Sequence, residues 1–145
     1  NGIMQTGWIN DAGKEYYLVS SGAMATGWKK VDGTWYYFTS SGSKATGWQK
    51  VDSKWYYFDS EGHMLTGWQM IDGTWYYMSS SGDMSVGWRK INSKWYYFSS
   101  SGAMSVGWKQ VNGVYYYFYS SGEMASNTWI GNYHLDASGA WDYSR

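Results

Sequence analysis

A Gly-Trp pair returns along this chain at Gly7, Gly27, Gly47, Gly67, Gly87 and Gly107, a constant spacing of 20 residues. A period this short and strict permits one supersecondary unit, copied many times. No unit of that size can bury a core alone, so each copy must be covered by its neighbours. The 145 residues therefore read as one stack.

Within the unit from Gly22 to Ser41, Asp32-Gly33 stands between two short segments rich in aromatic and β-branched residues, a strong signal for a two-residue hairpin turn. Pairing Val31 with Thr34 sets Lys30 opposite Trp35, Lys29 opposite Tyr36 and Trp28 opposite Tyr37. Strand alternation then puts Trp28, Trp35 and Tyr37 on one face, and Tyr36 and Phe38 on the other. The turn recurs as Asp52-Ser53, Asp72-Gly73, Asn92-Ser93 and Asn112-Gly113. Asn, Asp and Gly accept the positive φ that such turns require, whereas Ser is a weaker choice. Linkers such as Ser40-Ser41-Gly42 and Ser80-Ser81-Gly82 turn the chain into the next unit.

An isolated two-stranded hairpin is marginal in water, so the hairpins must pack on one another. The predicted fold is all-β, a β-solenoid of stacked β-hairpins built from 20-residue repeats. The array is predicted over residues 1–125, with 126–145 as an irregular terminal repeat or cap, because Trp129 is displaced by one residue and the connection to Tyr133 is shortened. The first unit is imperfect. Asn1-Gly2-Ile3-Met4 matches Ser21-Gly22-Ala23-Met24, but Glu15 stands where later units carry Trp35, Trp55, Trp75 and Trp95.

Composition narrows the function. Net charge is zero and charged residues make up only 15%, so neither nucleic acid nor an anionic membrane surface finds the basic patch it needs. Membrane insertion is not expected, since no apolar run approaches a span. The chain has no cysteine, which excludes disulfides and thiolate metal sites. His63 and His134 are unrelated in sequence, the acids lie mainly at turns and linkers, and the serines follow the linkers. No catalytic residue, metal site or cofactor is predicted. With no signal peptide at its start, the sequence reads as a mature segment or excised module.

The aromatics carry the remaining signal: 12 Trp and 16 Tyr, 22% of the chain with Phe included. Tyr36, Phe38 and their repeats are read as core. The Trp-Trp-Tyr face is read as a ring-walled site shared by successive units. By spacing, the candidate sites are Trp28, Trp35 and Tyr57; Trp48, Trp55 and Tyr77; Trp68, Trp75 and Tyr97; and Trp88, Trp95 and Tyr117. Met64, Met84 and Met104, just past the linker glycines, are expected to close a fourth wall. Trp108 with Tyr115 needs a partner at Tyr133 or His134, and Trp8 has Glu15 where a second ring is expected. Such a cage suits a quaternary ammonium group, which carries charge without an N–H to donate. Three rings at about 0.5–2 kcal/mol each give roughly 2–6 kcal/mol, the range of a millimolar site. A polymer displaying many copies would recover affinity through avidity.

Units such as S-G-A-M-A-T-G-W-K-K-V-D-G-T-W-Y-Y-F resemble the choline-binding repeats of streptococcal surface proteins and phage lysins, from about residue 1 to residue 125. The resemblance implies a left-handed β-solenoid with choline sites between consecutive hairpins. It also implies a secreted, non-catalytic module that attaches its parent protein to phosphocholine on teichoic or lipoteichoic acid at the cell wall. Family members commonly join the module to a separate hydrolase or adhesin domain. Glu15, Lys44, Tyr115 and the segment after Met124 depart from the family pattern. Two other functions stay open: a glucan-binding module stacking sugars on the rings, and a structural or self-association repeat. A homodimer through the terminal repeat is also allowed.

Overall fold

The computed structural model describes residues 5–143, so the match of Asn1-Gly2-Ile3-Met4 to later linkers lies outside the described residues. Among these, fourteen short strands pair as seven antiparallel hairpins, with no helix. They are β1 (Gly7–Asp11) with β2 (Lys14–Leu18), β3 (Gly27–Val31) with β4 (Thr34–Phe38), β5 (Gly47–Val51) with β6 (Lys54–Phe58), and β7 (Gly67–Ile71) with β8 (Thr74–Met78). Then follow β9 (Gly87–Ile91) with β10 (Lys94–Phe98), β11 (Gly107–Val111) with β12 (Val114–Phe118), and the shorter β13 (Thr128–Ile130) with β14 (Tyr133–Leu135).

The register is the one that the Asp-Gly turn dictates: Val31 faces Thr34, Lys30 faces Trp35 and Trp28 faces Tyr37. Asp32 and Gly33 both take positive φ, 52° and 81°, which gives the turn the twist its strands need. Ser53 and Ser93 are held in the same region, at 70° and 71°, where a Cβ is strained.

After each hairpin the chain closes a tight turn and adds one more bridge. Gly42 N–H donates to the Thr39 carbonyl at 2.7 Å, Lys44 bridges Phe38, and Ala45 N–H donates to the Tyr37 carbonyl at 2.8 Å. The residue at the bridge also reaches back one repeat. Met64 N–H donates to the Trp35 carbonyl at 3.2 Å, Met104 to Trp75 at 3.0 Å and Met124 to Trp95 at 2.8 Å. These bonds tie each linker to the second strand of the hairpin one repeat back, and they leave the bridge side chain free to vary. Beneath them lie Phe38, Phe58, Met78, Phe98, Phe118 and Leu135, all fully buried, one in each hairpin after the first. Gly82 is required twice over: its φ is 95°, and a Cβ there would lie 2.4 Å from the Met64 sulfur.

The residues group into two compact units, one running through Gly67 and including Met78–Met84, the other comprising Trp68–Tyr77 and the chain from Ser85. Each is internally a stack. In the first, the Trp8 ring meets Tyr36 edge-to-face at 4.9 Å, and Trp28 meets Tyr56 at 4.8 Å. In the second, Trp68 meets Tyr96 at 4.9 Å and Trp88 meets Tyr116 at 4.8 Å. The leading Trp of one hairpin thus lies on the opposite face of the next. A repeated operation that joins unlike surfaces is head-to-tail by nature.

The strained serine turns yield a stability prediction. Ser53→Gly and Ser93→Gly relieve about 1–2 kcal/mol of left-handed strain against a Gly entropy cost of about 0.5–1 kcal/mol. Each substitution should therefore stabilise the chain by about 0.5–1 kcal/mol. Urea unfolding monitored by far-UV circular dichroism reads the change, and an unmoved or lowered midpoint would contradict it.

Candidate functional site

The recess at β3–β4 is built from two rings of one hairpin and one of the next. Trp28 and Trp35 stand 6.2 Å apart at 88°, forming a right-angled corner. Tyr56, 4.8 Å from Trp28, makes the third wall, Met64 the fourth, and Ser80 with Ser81 the rim. The opening is about 380 Å³. Trp35 is 41% exposed and lines the recess, while the Lys30 ammonium lies 5.9 Å from its ring centroid. Burial pushes the Tyr56 hydroxyl above its ordinary range, with Asp83 and Asp52 adding to the effect, so this wall stays neutral at physiological pH. No carboxylate lines the recess.

The same arrangement recurs in the second unit, where Trp88, Trp95, Tyr116 and Met124 enclose about 420 Å³ with Ala137 and Ser138 at the rim. Trp88 and Trp95 are 6.3 Å apart at 86°. Trp68 and Trp75 form a like corner at 6.2 Å and 86°, with Tyr96 on Trp68 and Met104 hydrogen-bonded to the Trp75 carbonyl. Trp48 and Trp55 keep the corner, at 6.3 Å and 87°, and Met84 N–H donates to the Trp55 carbonyl at 2.8 Å.

The tyrosines expected from spacing are elsewhere. Tyr57 packs on Trp48 of its own hairpin at 5.0 Å, Tyr77 on Trp68 at 5.1 Å, Tyr97 on Trp88 at 5.0 Å and Tyr117 on Trp108 at 5.2 Å. Each packs on a Trp of its own hairpin, and Tyr57 and Tyr117 are absent from the linings of the Trp28–Trp35 and Trp88–Trp95 recesses, which take Tyr56 and Tyr116. The reason is parity. Spacing alone pairs like faces, whereas head-to-tail stacking sets the Trp face of one hairpin against the Tyr56-type face of the next. Tyr56 and Tyr116, expected in the core, line the recesses instead, and Tyr96 meets Trp68 in the same way. Tyr36, their counterpart in the first unit, is both buried and stacked on Trp8.

The two irregular recesses each substitute the fourth wall. At the terminal one, Trp108, Tyr115, Tyr133 and Trp141 enclose about 470 Å³. Trp141 N–H donates to the Tyr115 carbonyl at 2.9 Å, the bond that Met makes elsewhere, so a fourth ring stands where a thioether does. Tyr133 lies 5.7 Å from Trp108 and 5.5 Å from Trp141. His134 turns away, packing on Trp129 at 4.8 Å and bonding Asp142 through Nδ1 at 2.6 Å. At the first recess, Trp8 meets Tyr36, Glu15 replaces the second Trp, and Lys44 replaces Met. The Lys44 ammonium pairs with the Glu15 carboxylate and lies 5.4 Å from the Trp8 ring centroid.

The sequence reading omitted Met124 and Trp141 from its sites. Met124 was legible from the linker pattern. Trp141 was not, because the shortened last hairpin moves it out of the 20-residue register.

This geometry is shared with known proteins. No match was found among curated proteins. Among solved structures, choline binding protein F from Streptococcus pneumoniae, crystallised in the presence of a peptidoglycan analogue, is 50% identical with a TM-score of 0.93 over 97% of this chain and 47% of that one. CbpJ from Streptococcus pneumoniae is 47% identical with a TM-score of 0.91, over 94% of this chain and 48% of that one. CbpF in complex with ipratropium gives the same identity, TM-score and coverage, 47%, 0.91, and 94% against 48%. The chain thus spans about half the length of these relatives. A family model described as the choline-binding repeat matches residues 5–46, 45–87 and 85–129. Repeat period, aromatic corners and family match cover the same residues, and the chain belongs to the choline-binding repeat family.

Proposed function

We propose that this chain is a non-catalytic module that holds its parent protein at the bacterial surface by binding the choline of phosphocholine on teichoic and lipoteichoic acids. The observation that carries the reading is the half-open corner of two perpendicular Trp rings closed by Tyr and Met, with no carboxylate in its lining. Three π faces attract a cation that water solvates weakly, and the soft Met wall adapts to methyl groups. A sugar ring would also stack on Trp, but its hydroxyls need several polar partners, and the recess offers only the rim serines. The relative solved with ipratropium, itself a quaternary ammonium compound, supports the same chemistry.

The test is calorimetry and intrinsic Trp fluorescence with choline, tetramethylammonium, dimethylbutanol and glucan oligomers. Choline and tetramethylammonium should saturate in the millimolar range, and dimethylbutanol, in which carbon replaces the charged nitrogen, should bind far more weakly. Equal binding of the neutral alcohol would remove the cation from the argument, and a response to the oligomers alone would transfer the case to glucan.

The corrected register gives a second prediction. Tyr116→Ala removes a wall from the Trp88–Trp95 recess and should weaken that site roughly 2- to 30-fold, from about 0.5–2 kcal/mol per ring. Trp95→Ala, at a position that is 41% exposed, should do so with little change in unfolding midpoint. Undiminished choline binding in both folded variants would overturn the assignment of this recess.

A further inference from the structure

The first recess already contains a cation. We propose that Lys44 acts as a tethered internal ligand, its ammonium filling the place that a quaternary ammonium takes in the other recesses, so that the Trp8–Tyr36 recess does not bind the external ligand. The inference rests on the cation-cage reading above.

Three observations carry it. The stem of Lys44 does what a Met stem does elsewhere: a Cβ on Gly62 would lie 2.5 Å from Lys44 Cδ, just as one on Gly82 would lie 2.4 Å from the Met64 sulfur. The Lys44 N–H makes the same backward bond, to the Glu15 carbonyl at 2.8 Å. Lys44 is thus seated as a fourth wall, but its longer chain carries a charge onward to the Trp8 ring and the Glu15 carboxylate. Its side chain is only 11% exposed.

Glu15 completes the exchange. In the other repeats this position is a ring that the ligand shares; here it is an anion that neutralises a cation supplied by the chain. A largely buried ammonium against the Trp8 ring would be costly without a counter-ion, and the paired carboxylate offsets that cost. A tethered cation competes as an intramolecular group, at an effective concentration that matches or exceeds a millimolar external ligand. Lys44 and Glu15 therefore set the recess's specificity against the ligand.

The experiment compares Lys44→Met and the double variant Glu15→Trp/Lys44→Met with the parent chain, counting sites by calorimetry with tetramethylammonium. Met occupies the equivalent place in other repeats, so the fold should accept it. One additional site per chain is expected in the double variant. A folded double variant with the parent's stoichiometry, or a parent whose stoichiometry falls on Trp8→Ala, would overturn the plug. A second readout needs no ligand: in limited acetylation followed by mass spectrometry, Lys44 should react more slowly than Lys54, which is 62% exposed. Equal reactivity would sink the proposal even where choline binds the other recesses. A parent that binds no quaternary ammonium while Lys44 stays protected would instead count against the cage reading itself.

Discussion

The edge-to-face contact between the leading Trp of one hairpin and the middle Tyr of the next is the interaction on which each stack depends. It recurs at 4.8–4.9 Å in both units, with interplanar angles of 66–73°. Such a pair contributes about 0.5–1.5 kcal/mol beyond the area it buries. A hairpin of two five-residue strands is marginal alone, so this contact, the buried apolar residue beneath it and one backward hydrogen bond make the repeat stable. The contact also builds the recess. Trp28 and Tyr56 are structural and lining at once, whereas Trp35, meeting Trp28 edge-on and half open to solvent, can be spent on a ligand. Under the proposed function, the ligand falls to the ring that the fold needs least.

That division explains what was legible in the sequence. Hairpin register followed from Asp32-Gly33 and its equivalents because a two-residue turn fixes pairing and pairing fixes the faces. The Trp pairs of each recess followed too, since they belong to one hairpin. The third wall lay beyond strand alternation alone. Tyr56 and Tyr57 are adjacent and chemically identical, and only the mode of stacking decides which of them meets Trp28. Head-to-tail repetition supplies that decision, because a translated copy presents its opposite face to its neighbour. Trp141 failed for a different reason: the terminal hairpin is shorter, and register counted in steps of 20 passes over the residue that takes the Met position.

The backbone and the side chain at the bridge position do separate things. Lys44, Met64, Met124 and Trp141 all donate an N–H to the carbonyl of the strand before, with lengths of 2.8–3.2 Å. Because the main chain provides the joint, the side chain is released to set the recess: a thioether in the regular repeats, a ring at the terminal one, an ammonium at the first. One fold thereby offers three chemical environments at positions that share the same backbone bond. The departures that shape these two recesses are Glu15 and Lys44 in one case, and Tyr115 with the region after Met124 in the other.

Such variation matters if the chain is the weak binder of repeated ligands proposed above. Each regular recess would then contribute only the few kcal/mol of its rings, and retention on a polymer would grow with the number of recesses engaged together. Under the proposed reading, a recess filled by the chain's own Lys44 removes one step from that avidity, while the ion pair with Glu15 and the contact with the Trp8 ring occupy the corner. A recess with a fourth ring in place of Met presents one more π face and should hold a cation more firmly than its neighbours. Affinity is then graded along the chain by single residues at one backbone position, so total binding can be adjusted repeat by repeat while the Trp–Tyr contacts that hold the stack stay fixed.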